Sequence, residues 1–383
     1  MNKITRKSFL KVLAATMVGG AAASALTGAA APVSIDETNG KVSRWVKNNL
    51  NPDGPLTIAK QGMFSSGGTV TAPVAGTYNA TTNWLDATRA GNTAHVDHAN
   101  VLYQIPADSN GWPMVYLHGY GQSRMGWITT PDGRQGWADL FLRNGYSAFL
   151  VDQPRRGEAG STAQMSTDGF LDAWSADSKD YKPGDQAWYT HFRIGRVAPE
   201  RYEGSQFPEG DAAQNQFFRQ MTPNTGDFDQ AVAAAALGEV MKDVQTLTGH
   251  KSIFVTHSQG GAVGWSVPAD NIAAIVAIEP GGTPAIGSEQ YTKLLRAGIP
   301  IAIYFGDYID NGPEDIMSTS FWRQVRDGAL AFAAQYNADG GDCTVVDLPK
   351  IGITGNSHFM FQELNNKEIA DNIYQWLESR ALA

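Results

Sequence analysis

Short unbroken apolar runs alternate along this chain with longer segments of helical period. The runs NVLYQIP (100–106), PMVYLHG (113–119), YSAFLVDQP (146–154), SIFVTHS (252–258), AAIVAIEP (273–280), IPIAIYFGD (299–307) and CTVVDLP (343–349) predict strands. Some five of them lack the in-out alternation of a half-exposed strand, which is how a strand covered on both faces reads. Between them, 135–144, 228–248, 259–267, 290–297, 318–336 and 366–383 predict helices. Strand and helix in alternation argue for an α/β fold, a mostly parallel central sheet flanked by helices. Upstream, the stretches 56–70 and 98–106 predict antiparallel strands leading into that sheet.

Two regions break the rhythm. Residues 1–31 carry Lys3, Arg6, Lys7 and Lys11 and then an uncharged, alanine-rich stretch with small residues near Ala25 and Ala30, the pattern of a cleaved export signal. TRKSFLK resembles the twin-arginine pattern with Lys7 in the place of the second arginine. The expectation is a periplasmic or secreted protein that keeps no stable membrane insertion after signal cleavage. The second region, 157–227, holds Trp174, Tyr181, Trp188, Tyr189, Phe192, Tyr202, Phe207, Phe217 and Phe218 among many Gly, Asp and Gln and predicts no strand. It reads as an inserted lid or cap over the carboxyl ends of the strands, within one catalytic domain of residues 32–383. A packed structural excursion would bury the same aromatics.

Composition narrows the function. The net charge is −9, and no basic run follows the first dozen residues, so nucleic acid is not an expected partner. Cys343 is the sole cysteine, which rules out an intrachain disulfide and places a thiol in a strand. His95 and His98 in HVDH would point to opposite faces of a strand, a poor metal site. No metal and no cofactor is expected. A homodimer stays open.

The chemistry concentrates in FVTHSQGGAVG (254–264). Ser258 stands between a predicted strand and a predicted helix, where a sharp turn thrusts a hydroxyl out of the sheet, and Gly260, Gly261 and Gly264 let that helix approach closely. Thr256 occupies a place where glycine is commoner, and a serine capping a helix would share this pattern. A second motif, VYLHGYGQS (115–123), ends a strand in His-Gly and a glycine-rich turn. Together they imply an oxyanion hole built from the backbone N–H groups of Tyr120 and Gln259. His257 adjoins the nucleophile and is expected to face away from it; His118 belongs to the turn. His358, after the last strand and before the last helix, is where the chain order Ser, acid, His puts the base. For the acid, Glu279 and Asp307 each end a strand after the elbow, and pattern leans to Asp307. Arg155 and Arg156 read as a structural pair rather than a carboxylate-binding site.

These motifs in order, with IVAIEPGG, YFGDYID and GITGNSHFMFQELNN, resemble the bacterial α/β-hydrolase esterase group whose elbow reads Ser-His-Ser-Gln. The resemblance runs from about Pro55 onward. It implies the α/β-hydrolase fold and a Ser-His-Glu triad of Ser258, His358 and Glu279, with Asp307 as the alternative acid. It further implies cleavage of small-molecule carboxylic esters through an acyl-enzyme. Members of that group can carry two cysteines directly after His-Gly, where this chain has Tyr120 and Gly121, so substrate preference does not carry over. An amidase or lactonase with the same triad, or a hydrolase-fold binding protein without chemistry, would share the motifs.

Overall fold

The computed structural model describes residues 54–79, 81, 90–160, 185–222 and 224–383. The predicted export signal, and Trp174 and Tyr181 of the predicted lid, lie outside the described residues. Eight strands form one sheet in the order β1-β4-β6-β5-β7-β8-β9-β10. They are β1 (Ile58–Ser66), β4 (Ala99–Pro106), β5 (Pro113–Leu117), β6 (Ser147–Asp152), β7 (Ser252–His257), β8 (Ile272–Ile278), β9 (Ile301–Phe305) and β10 (Cys343–Asp347). A two-stranded ribbon of β2 (Thr69–Val70) and β3 (His95–Val96) lies apart from it. β1 pairs antiparallel with β4 and β4 with β6, and every later pairing is parallel. All seven predicted runs are strands, and the upstream pair is antiparallel as expected.

The unbroken apolar runs have a direct structural reason. Successive side chains of a strand point to opposite faces, so a strand with a core on each side needs an apolar residue at every position. In β5, Met114 and Tyr116 enter one core with Trp127 and Trp137, whereas Val115 and Leu117 enter the other with Leu237 and Val240. The first core is covered by α1 (Met125–Ile128), α2 (Trp137–Arg143) and α9 (Asn366–Glu378); the second by α5 (Gln230–Thr248) and α8 (Met317–Ala338). The remaining helices are α3 (Asp185–His191), α4 (Asp211–Arg219), α6 (Gln259–Gly264) and α7 (Glu289–Ala297). Helix limits follow their caps: the Asp229 carboxylate accepts from Ala231 and Val232 N–H at the start of α5, and Gly249 at φ 79° ends it.

Helices α3 and α4 lie in the segment 157–227, where sequence alone predicted no element, and α6 stops at Gly264 rather than 267. Cys343 is a buried free thiol in β10, as expected. Among the described residues no helix is long and apolar enough to cross a membrane. The parallel strands deliver their carboxyl ends to one edge of the sheet, and there the site is assembled.

Candidate active site

Ser258 lies between β7 and α6 at φ 52°, ψ −117°, a conformation that residues with a side chain rarely adopt. Backbone bonds hold it there from both sides. Its N–H donates to Ile278 O at 3.0 Å, and its carbonyl accepts from Gly261 and Gly281 N–H at 3.0 and 2.9 Å. The glycines are required by space: a Cβ on Gly260 would stand 2.4 Å from His118 O, and one on Gly261 2.6 Å from Pro280 Cβ. Thr256 fits for the same reason. A Cβ on Gly264 would lie 3.0 Å from the Thr256 methyl, so the missing side chain one turn into α6 makes room for the branched residue on the strand. The serine keeps 5% of its surface.

The turn after β5 packs directly on this elbow. A Cβ on Gly119 would come 2.9 Å from Ser258 Cβ, so only bare backbone fits between them. Gln259 opens α6, and a helix's first N–H groups have no acceptor within the helix. The His118 ring folds beneath the turn, where burial lowers its pKa and favours the neutral form. Its Nδ1–H donates to Gly119 O at 2.8 Å, and its Nε2 accepts from Gln153 N–H at 3.4 Å. Tyr120 is roofed by Trp188 of α3, with ring centroids 6.1 Å apart and planes 6° from parallel.

Glu279 follows β8 directly, fully buried at 0% exposure, with φ 38°. Its two oxygens are divided. Oε2 lies 2.6 Å from His358 Nδ1, while Oε1 accepts from Gly306 N–H at 2.8 Å and pairs with the Arg193 guanidinium. Burial alone would push the carboxyl pKa up; Arg193, His358 and Gly306 together outweigh it, and the group is held ionised below its usual value. The His358 imidazole, 1% exposed, is sandwiched between Phe192 at 4.8 Å and Trp322 at 4.4 Å, and its backbone N–H donates to Phe192 O at 3.1 Å. Desolvation lowers its pKa against the pull of Glu279, and Arg193 lowers it further. The ring is therefore neutral at neutral pH. With Nδ1–H given to Glu279, its lone pair is at Nε2, which has no hydrogen-bond partner among the described residues.

Asp307, the alternative acid, is engaged elsewhere. Its Oδ1 accepts from Tyr308 N–H at 2.7 Å and its Oδ2 from Gly355 N–H at 2.8 Å, so it shapes the loop leading to His358. That loop is fastened again by buried Glu363, which accepts from Asn356 Nδ2 at 2.8 Å and Ser357 N–H at 3.0 Å. Burial pushes the Glu363 pKa up, and these bonds offset part of the rise, leaving it at about 7.

Three groups escaped sequence reasoning. His257 has an engagement that was not foreseen: its ring lies 4.4 Å from that of His358, its Nε2–H donates to His358 O at 3.0 Å, and its Nδ1 is 2.9 Å from the Gln122 amide. Burial holds it neutral, well below the usual histidine pKa. Gln122 thereby links the turn after β5, through His257, to His358. Arg193 carries no local motif at all, since its partner is 86 residues away. By contrast Arg155 behaves as read, forming a two-pronged pair with Asp97 at 2.8 and 3.0 Å. No group of His, Cys, Asp and Glu suited to a metal ion occurs among the described residues.

No family model matches the chain. Among curated proteins it is similar to the "Probable secreted lipase phiG" of a fungal species (strain ATCC 74256), 27% identical over 314 residues, covering 70% of this chain and 82% of that one. Among solved structures it is similar to one published as the atomic resolution structure of a novel bacterial esterase. That likeness is 31% identical, covers 87% of this chain and 99% of the other, and has a TM-score of 0.70. The chain belongs to the α/β-hydrolase esterases. It is a carboxylic ester hydrolase, and its eight-stranded, mostly parallel sheet flanked by helices is that fold.

Proposed function

We propose that this esterase works through a Ser258-His358-Glu279 triad and an acyl-enzyme. His358 Nε2 takes the Ser258 proton as the hydroxyl attacks the ester carbonyl, and then returns it to the leaving alcohol. Water enters by the same route and releases the acid. Glu279 holds the imidazole with Nδ1 protonated and stabilises the imidazolium. The N–H groups of Tyr120 and Gln259 receive the oxyanion, each contributing about 3 to 4 kcal/mol to transition-state stabilisation. The observation that carries this reading is the buried Glu279–His358 pair at 2.6 Å on the strand edge that also bears the strained Ser258.

The substrates are small-molecule esters, and the segment 157–227 is a cap that keeps water from the reacting centre. Support for the cap comes from Trp188 over Tyr120 and Phe192 over His358. Residues 1–31 serve export, a reading supported by their charge pattern and by the likeness to a secreted lipase. Ser258→Ala decides the triad. With a p-nitrophenyl ester, kcat should fall by about 10⁴- to 10⁶-fold with the circular-dichroism spectrum unchanged. Activity within tenfold of the parent would refute the assignment.

A further inference from the structure

Building on the triad reading, we propose that Arg193 is a positioning residue of this esterase. It holds the Glu279–His358 pair in its working arrangement from the chain that follows α3.

Geometry carries the proposal. Arg193 is 2% exposed and stands at φ 65°, two residues past the end of α3. Its Nη2 pairs with Oε1 of Glu279, the oxygen that His358 does not use. Its Nε–H donates to Asp307 O at 2.9 Å, and the guanidinium lies 5.4 Å from the centre of the Trp322 ring. The residues on either side are tied to the same place. Trp322 Nε1–H donates to His191 O at 3.3 Å, and His358 N–H donates to Phe192 O at 3.1 Å. Residues 191–193 therefore touch the base, its aromatic wall and the acid together.

The chemistry explains why a cation belongs there. A carboxylate with no water around it is held ionised only by opposite charge and hydrogen bonds. With the imidazole neutral, Glu279 has Gly306 N–H, the His358 Nδ1–H and Arg193, of which only the last is charged. The arginine also weakens the pull of the carboxylate on the imidazolium, so His358 stays neutral to lower pH than a triad without the cation. The other titratable groups facing this cluster are His257 on β7, Asp307 after β9, Glu363 beyond the His358 loop and Tyr202 in the inserted segment. Among the described residues, Arg193 is the cation that pairs with this cluster.

The experiment compares kcat/KM against pH for the parent, Arg193→Met and Arg193→Lys on one p-nitrophenyl ester. Losing the charge raises the pKa of the acid–base pair, so the acid limb of the methionine variant should move up by roughly one pH unit. Its kcat should fall by about 10- to 100-fold, with KM within a fewfold. The lysine variant keeps the charge and should keep the parent limb while losing part of kcat. Should the methionine variant not fold, Arg193→Gln, which retains a donor toward Oε1, reads the same displacement. A limb that superimposes on the parent's in the charge-free variant overturns the proposal, as does a uniform loss in both variants with no displacement. Ser258→Ala in the same assay separates the two levels. If it is inactive and the limb does not move, only the role of Arg193 fails; if it is active, the triad and the role of Arg193 fail together.

Discussion

The Ser258 side and the Glu279–His358 side of this site are built in opposite ways. Ser258 is placed almost entirely by backbone: a strand, a strained turn, and glycines at 260 and 261 where any side chain would strike His118 O or Pro280. Glu279 and His358 are placed by side chains from distant elements. Arg193, Phe192 and Trp322 surround the pair itself, while Glu363 and Asp307 fasten the loop that carries His358. A backbone device is compact in sequence and intolerant of added volume. A side-chain cage is dispersed in sequence and sensitive to charge.

Several changes sharpen that contrast, in falling order of expected effect on turnover. Glu279→Gln keeps the shape of the cage but removes its charge and favours the wrong imidazole tautomer; kcat should fall by about 10²- to 10⁴-fold in a steady-state assay, with KM little altered. Gly260→Ala tests the backbone side. Because its Cβ would meet the His118 carbonyl at 2.4 Å, the helix or the turn must shift, costing about 3 kcal/mol by urea unfolding and at least tenfold in kcat. A fully active, equally stable alanine variant would show that the elbow does not need the close approach.

Glu363→Gln tests the cage through pH. The folded pKa of Glu363, at about 7, lies above its unfolded value, so the folded protein holds that proton more tightly. Stability from this group is whole below about pH 4.3 and is lost as pH rises through 7. The glutamine variant cannot lose it. Between pH 4.5 and 7.5 its melting temperature should rise relative to the parent's, by the equivalent of about 3 kcal/mol, and a difference independent of pH would contradict the assignment. The smallest effect is expected from Thr256→Gly, which gives the elbow its commoner letter. Activity should stay within about threefold, while lost packing against Gly264 and added chain entropy cost about 1 to 2 kcal/mol.

Legibility followed the same division. The inner strands β5 to β9 could be read because burial on both faces writes itself as an unbroken apolar run, and the elbow could be read because its constraints fall within a few residues. The acid was harder: Glu279 and Asp307 both end strands, and only the fold reveals that Asp307 accepts from Tyr308 and Gly355 N–H whereas Glu279 meets His358. Helices α3 and α4 were missed because they are only seven and nine residues long, too short for a helical period to stand out; Phe217 of α4 packs against Phe359. Arg193 and His257 left no sequence signal of their roles, because each acts on a partner about 80 to 100 residues away.

The central claim is that this fold makes one ordinary hydroxyl reactive. Treatment with a fluorophosphonate, followed by proteolysis and mass mapping, tests it most directly. The account predicts a single adduct on the peptide containing Ser258, formed at least a hundredfold more slowly in His358→Ala. An adduct on another residue, or full ester hydrolysis by protein modified at Ser258, would contradict it.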